Sequence, residues 1–404
     1  MLGCGAVGGF GLTAGVLERL KSGIRLPLPQ GEPRAKPQRL SLMDPPIKLS
    51  LTGAYIQAAE RMGDGLALEL RAWAPQPQID IECARSVELD ILFRNLSPLA
   101  KLEGSGARIN ETAETTINRR LVIKHAAGAS RHHWSVPFTD EFLYTAIGDS
   151  GGGSEFAWCL ERSKQLGAHF MLHLGDIYYS DDDIVSTATN LDNAPLPMYT
   201  SIGNHDFQRD GVNLHEHFRQ QIGPRNTFFR LGDSMVVNFD TAASIWPADA
   251  GERNQLFDRV EASAQGVKNW IFMTHRPLHD ERATRQEGDG HVLSPREHEY
   301  VIARLKRLTR KPWLLCGHIH ISGLHVADGI STYVSGEGLA TRNIVAREDE
   351  ARILVGEVAP GYGTVYRWKS LLMPKTAHCH YKAEATRREM GITSGSSEYG
   401  ESCG

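Results

Sequence analysis

The 404-residue chain has six cysteines, at positions 4, 83, 159, 316, 379 and 403, and no two of them are spaced C-x-x-C. That absence argues against a zinc knuckle and a dithiol redox motif. Cys83, Cys159 and Cys316 lie inside apolar runs, where a free thiol packs as a small hydrophobe. No stretch approaches the roughly 18–20 apolar residues that span a bilayer as a helix. A charge of one sign is missing as well: 44 Lys and Arg stand against 48 Asp and Glu, a formal net charge of −4. Such a balance offers no basic footprint for a nucleic acid, so no nucleic-acid partner is expected. Internal repeats and low-complexity segments are also lacking. What remains is an ordinary globular composition, 41% hydrophobic and 23% charged, long enough for two domains with cores of their own.

Residues 1–21 are Gly-rich and weakly apolar, resembling the apolar part of a twin-arginine export signal whose Arg-Arg segment would lie upstream. An exported, periplasmic protein is the expectation from this remnant; a short structural terminus on a cytoplasmic protein is the alternative. Residues 22–60 are rich in Pro and basic side chains and read as an extended linker. Over 61–138 the pattern alternates with period two, as in Leu66-Leu68-Leu70, Ile79-Ile81-Cys83 and Val87-Leu89-Ile91-Phe93. Short alternating runs with Pro, Ser and Asn breaks predict a small antiparallel β domain, sandwich-like. His132 and His133 are adjacent and would face opposite sides of a strand, so they do not share a metal. From 139 to 385 the grammar becomes strand-loop-helix, which predicts an α/β layered domain with buried sheets. The tail, 386–404, is small and polar and reads as flexible.

The chemistry sits at the ends of the apolar strands. Five clusters fall there in order: Gly148-Asp149-Ser150-Gly151, Gly175-Asp176-Ile177-Tyr178-Tyr179, Gly203-Asn204-His205-Asp206, Thr274-His275 and Gly317-His318-Ile319-His320. In α/β sheets ligands bind beyond the carboxyl ends of strands, where loops from several strands meet. The donors delivered are carboxylate, amide oxygen, imidazole and phenol, a set suited to Fe, Mn or Zn. Taken singly, a Gly-Asp is a turn and a His-x-His a coincidence; five in order, each after an apolar strand, predict a metal site. Trp246, Trp270 and Trp313 read as packing residues.

The ordered set resembles the calcineurin-like metallophosphoesterase superfamily, over roughly residues 140–345. Most members of that family place a His two positions after the first Asp, where this chain has Gly151. Its second motif instead has the form G-D-x-x-Y, ending in Tyr179, which looks like the purple acid phosphatase branch. Tyr178 would replace Tyr179 as the ligand only if the loop register slipped. The resemblance implies an α/β (α+β) layered metallophosphoesterase sandwich with a preceding small all-β domain. It implies two metal ions: Fe(III) held by Asp149, Asp176, Tyr179 and His320, and Fe(II), Zn(II) or Mn(II) held by Asp176, Asn204, His275 and His318. A trivalent ion stabilises a phenolate below its usual pKa of about 10, and a metal pair generates hydroxide for in-line attack on phosphorus. His205 is the implied acid for the leaving oxygen, with Asp206 orienting its imidazole. Beyond Thr274-His275 the chain departs from the plant-type enzymes, and His279, Arg282, Arg285 and His291 are candidates for phosphate contact.

Hydrolysis of a small phosphate monoester is the function these residues imply. A phosphodiesterase acting on nucleotides or phospholipid head groups is the alternative. A non-catalytic metal-binding module would show eroded ligands, and none is eroded. Neither the physiological substrate nor the oligomeric state is written in these motifs.

Overall fold

The computed structural model describes residues 24–25, 38–43, 46–105, 107–209, 212–242, 251–279, 292–338 and 351–371. Its first eleven strands are β1 (Ile24–Arg25), β2 (Gln38–Met43), β3 (Pro46–Thr52), β4 (Ala54–Met62), β5 (Gly65–Ala72), β6 (Gln78–Cys83), β7 (Val87–Arg94), β8 (Lys101–Ser105), β9 (Ala107–Ala113), β10 (Arg119–His125) and β11 (Gly128–Ser135). They form a six-stranded sheet, β1-β4-β5-β7-β10-β9, and a five-stranded sheet, β2-β3-β6-β11-β8. Alternation places one face of each sheet inward. Leu68, Leu70, Leu89, Ile91 and Phe93 from the first sheet share a core with Leu49, Leu51, Ile79, Ile81 and Trp134 from the second. Phe93 meets Trp134 edge-to-face at 4.7 Å, an arrangement worth about 0.5–1.5 kcal/mol beyond the area buried.

Residues 38–60, inside the segment whose proline content suggested a linker, run through three of these strands, the last of which continues to Met62. Ile47, Leu49 and Leu51 are buried while Lys48 is exposed, so period-two alternation outweighs the flanking prolines. Pro46 opens β3, one of the places a strand tolerates proline. The export-signal remnant of residues 1–21 and the tail of 386–404 lie outside the described residues.

The second region is built in four layers. It contains β12 (Phe142–Ile147), α1 (Ser154–Gln165), β13 (Phe170–His173), α2 (Asp181–Asp192), β14 (Met198–Thr200), α3 (Asn204–Phe207), β15 (Gln208–Arg209), β16 (Val212–Asn213), α4 (His215–Gln221), β17 (Thr227–Leu231) and β18 (Ser234–Asn238). It continues through α5 (Gly251–Ala262), β19 (Asn269–Met273), α6 (Pro295–Leu308), β20 (Trp313–Cys316), β21 (Ser322–Ala327), β22 (Ile330–Ser335), β23 (Arg352–Ala359) and β24 (Gly363–Ser370). One sheet runs β14-β13-β12-β23-β24 and the other β17-β18-β19-β20-β22-β21. Phe170 and Leu172 of β13 and Ile271 and Met273 of β19 point into the core shared by the sheets. Their neighbours point the other way: Met171 packs with Phe156 and Leu160 of α1, and Trp270 and Phe272 pack with Leu256 of α5 and Val301 of α6. Both faces being covered, these strands read as continuous apolar runs rather than alternating ones.

Asn95 joins the two regions. Its Nδ2 donates to Ala72 O and Met198 O, both at 2.8 Å, and its Oδ1 accepts from Met198 N at 3.0 Å. Arg71 donates through Nε to Ile222 O, and Arg94 pairs with Asp192 of α2. Among the described residues no helix is long and apolar enough to cross a membrane.

Candidate metal centre

Parallel pairing aligns β12, β13 and β14 in one sheet and β18, β19 and β20 in the other, so their carboxyl ends open on one rim. The residues that follow are turned sharply out of the sheets. Asp149, Asp176, His318 and His320 have φ of 62°, 62°, 72° and 45°, in the left-handed region, with Asn95 and Asp328 the other non-glycine cases among the described residues. Glycine is needed where backbones meet: a Cβ on Gly203 would lie 2.0 Å from Asp176 Oδ1.

Two donor sets result. In the first, Tyr179 Oη lies 3.2 Å from Asp149 Oδ1, 3.1 Å from Asp176 Oδ2 and 3.2 Å from His320 Nε2. His320 Nε2 lies 3.3 Å from Asp149 Oδ1. Adjacent ligands of an octahedral ion, each about 2.1 Å from it, stand about 3.0 Å apart, so these four atoms are spaced to share one ion. In the second set, His275 Nε2 lies 2.9 Å from Asn204 Oδ1 and 3.4 Å from Asp176 Oδ1. Asp176, His275 and His318 each offer an atom within 4.8 Å of the others. His275 Nδ1 lies 2.8 Å from Leu174 O, so this nitrogen carries the proton and donates. Nε2 then faces the Asn204 oxygen, where either a proton or a bound cation can stand between them.

The electrostatics point the same way. Burial alone would raise the pKa of Asp176, but the imidazoles of His275, His205 and His318 hold it well below the carboxylate range. Burial opposes a charge on His275, yet Asp176 and Asp149 raise its pKa to about 9. Burial likewise works against His320, and Asp149 outweighs it. For Tyr179, burial and the two carboxylates push the phenol well above 10, so a phenolate here requires a cation among these oxygens. The donor chemistry therefore fits the implied ions.

Two placements differ from the sequence reading. Asp206 is fully buried, and its carboxylate does not serve the His205 imidazole. Its Oδ2 accepts from Asp176 N and Gly203 N at 2.8 Å, and its Oδ1 from Ile177 N at 2.8 Å and Tyr178 N at 2.9 Å. Burial and the Asp176 charge raise its pKa to about 7 against the pull of the backbone bonds, while the four incoming N–H groups favour the ionised carboxylate. His279 turns toward Asp328 and His298, with Nε2 contacts of 3.2 and 3.3 Å. Arg282, Arg285 and His291 lie outside the described residues. His205 is half-buried, its ring 4.6 Å from that of Tyr179 and its backbone N–H donating to Asp176 Oδ1 at 3.0 Å. Tyr178 is buried among apolar side chains, away from the donor sets that Tyr179 joins.

Two contributors escaped the sequence reading. Asp183 caps α2 and accepts from Tyr179 N at 3.0 Å and Gly152 N at 2.9 Å, tying the first two motif loops together. Its signal was Ser180-x-x-Asp183, a capping box. Arg276 places Nη1 2.8 Å from His318 Nε2, bringing a guanidinium to the rim.

No curated protein sequence matches the chain. Solved structures that resemble it include a purple acid phosphatase from yellow lupin (Lupinus luteus) seeds, 11% identical over 74% of this chain and 70% of that one, with a TM-score of 0.47. A dimetal phosphatase from Danio rerio is 12% identical over 57% and 96%, with a TM-score of 0.41. Neither carries the assignment, which rests on the match of residues 142–322 to the calcineurin-like phosphoesterase family model. Residues 142–322 are thus similar to the domain of the calcineurin-like phosphoesterases, hydrolases acting on phosphoric ester bonds.

Proposed function

We propose that the chain hydrolyses small phosphate monoesters at a dinuclear centre of the purple acid phosphatase type. The observation that carries this reading is the division of Asp176: its Oδ2 faces the Tyr179 set and its Oδ1 the His275 set. A carboxylate split in this way suits a bridge. One ion, Fe(III), is assigned to Asp149, Asp176, Tyr179 and His320; the other, Fe(II), Zn(II) or Mn(II), to Asp176, Asn204, His275 and His318. When bound, the pair supplies Lewis acidity that activates water and offsets phosphoryl charge.

The chain's own groups do the rest. Arg276, nine-tenths buried beside His318, is the donor best placed to receive phosphate oxygens. It stands before His279, which turns to Asp328 and His298, as a candidate for that contact. His205, half-buried with its ring 4.6 Å from that of Tyr179, is assigned the proton delivered to the leaving oxygen. Asp206 is a positioning residue: it holds the backbone N–H groups of 176–178 and so aims Asp176 and Tyr179.

The test is metal analysis with a turnover screen of aryl and alkyl monoesters and of diesters. About two metal equivalents and higher turnover on monoesters are expected; a preference for diesters would move the assignment to a phosphodiesterase. Iron-loaded protein should show a visible tyrosinate band that Tyr179→Phe removes, and a colourless, fully active, iron-free enzyme would refute the ferric site. His205→Ala should slow alkyl esters more than activated aryl esters, by roughly the 10²–10⁴-fold that general acid catalysis supplies. Equal loss on both would refute the acid role.

A further inference from the structure

The geometry points to an additional transition-metal site, formed by His279, His298 and Asp328, which clamps the segment leaving the catalytic rim. This site goes beyond the phosphoesterase reading and shares no residue with it. His279 Nε2 lies 3.2 Å from Asp328 Oδ2 and 3.3 Å from His298 Nε2; His298 Nε2 lies 3.9 Å from the same Asp328 oxygen. Donors about 2.05 Å from a tetrahedral Zn(II) stand about 3.3 Å apart. Two of the three separations match that edge, and the third closes with a movement of about half an ångström. The imidazole rings cross at 80° with centroids 4.6 Å apart, so they meet edge to face, with their Nε2 atoms turned to one point.

Proton bookkeeping favours an ion there. If His279 Nε2 donates to Asp328, it has no second proton for His298; if it donates to His298, the carboxylate is left facing a nitrogen without a hydrogen between them. A divalent cation satisfies all three donors at once. The two imidazoles are borderline ligands and, beside one hard carboxylate, select Zn(II) over Mg(II) or Ca(II). Three protein ligands leave one tetrahedral corner for water.

Each ligand rides on a different element. His279 ends the segment that begins with His275 at the exit of β19, and buried Leu278 precedes it. His298 projects from the first half of α6. Asp328 opens the two-residue turn between β21 and β22, where Ala327 pairs with Ile330. Its φ of 51°, with Gly329 at 73°, is the tight-turn geometry that fixes where a carboxylate points. An ion held there pins the His275–His279 segment to a helix and a hairpin.

Isothermal titration of the metal-loaded full-length protein with Zn(II) tests the site. One further equivalent per chain is expected, together with a rise of roughly a few degrees in melting temperature. His298→Ala and Asp328→Asn, measured separately, should each weaken this uptake by at least the roughly 10-fold that losing even an outer partner costs, and abolish the melting shift. His298→Ala should retain monoester turnover. No uptake by the unaltered protein, or unchanged uptake in either variant, overturns the proposal. Asp328→Asn keeps the turn's conformational preference, so it decides the matter if His298→Ala fails to fold. The same uptake in Tyr179→Phe would separate this site from the catalytic centre; its loss there would overturn the assignment.

Discussion

Replacing Asp206 by Asn isolates the group that shapes the site without touching an ion. The carboxylate receives four N–H groups, at 2.8–2.9 Å, from Asp176, Ile177, Tyr178 and Gly203. A hydrogen bond to a charged acceptor contributes about 1.5–3 kcal/mol, against about 1 kcal/mol for a neutral one. Asparagine keeps one oxygen, so two of the bonds weaken by about 1 kcal/mol each. The other two N–H groups then face an amide NH₂ and lose their acceptor, at about 1–3 kcal/mol each. Allowing for relaxation, the variant should be about 3–5 kcal/mol less stable than the parent. Denaturant melts of protein stripped of metal measure this directly, and the loop carrying Asp176 and Tyr179 should lose metal affinity in parallel. An Asp206→Asn protein within 1 kcal/mol of the parent and fully metal-loaded would refute the reasoning. Were Asp206 instead a partner of the His205 imidazole, stability would hold and only the pH profile of turnover would move.

Two other perturbations follow from neighbouring geometry. His173 is buried, with Nδ1 accepting from Gly175 N and Nε2 donating to Ser150 Oγ, a neutral tautomer satisfied on both sides. Burial lowers its pKa from 6.5 to about 3. The unfolded chain therefore takes up a proton that the fold refuses: the stability contribution is complete above pH 6.5 and is lost as pH falls toward 3, at about 1.4 kcal/mol per unit. His173→Gln should flatten the slope of stability against pH in that window, and an unchanged slope would exclude His173 as its source. Gly203→Ala puts a methyl carbon 2.0 Å from Asp176 Oδ1 and 2.2 Å from Asp176 N; misplacing a ligand on this scale should lower turnover roughly 100-fold, and near-normal turnover would show that the two loops can part.

The site was legible because each donor follows an apolar strand buried on both faces, so strand ends and chemistry coincide in one-dimensional pattern. Asp149, Asp176, His275, His318 and His320 all carry that signature. The role of Asp206 was not legible: its acceptor geometry depends on the backbone of residues 176–178, nearly thirty positions away, and backbone N–H groups leave no mark on side-chain identity. The direction of His279 was hidden for the same reason, since His298 and Asp328 reach it only through the packing of α6 and a hairpin. Residues 38–60 show the converse failure, where proline content obscured the period-two pattern of Ile47, Leu49 and Leu51. Asp183 left a local signal in its capping box, but nothing local announced that it also holds Tyr179.

The left-handed backbone at Asp149, Asp176, His318 and His320 sets the catalytic rim against the rest of the molecule. A side chain in that region costs about 1 kcal/mol or more, so the four together cost an amount comparable with the lower end of a domain's net stability. Glycine at His318 or His320 would relieve the backbone and leave a sturdier protein with no chemistry. A library of this chain selected for heat tolerance alone should therefore erode its ligands first, and selection for thermostability would have to be coupled to metal content to keep the enzyme.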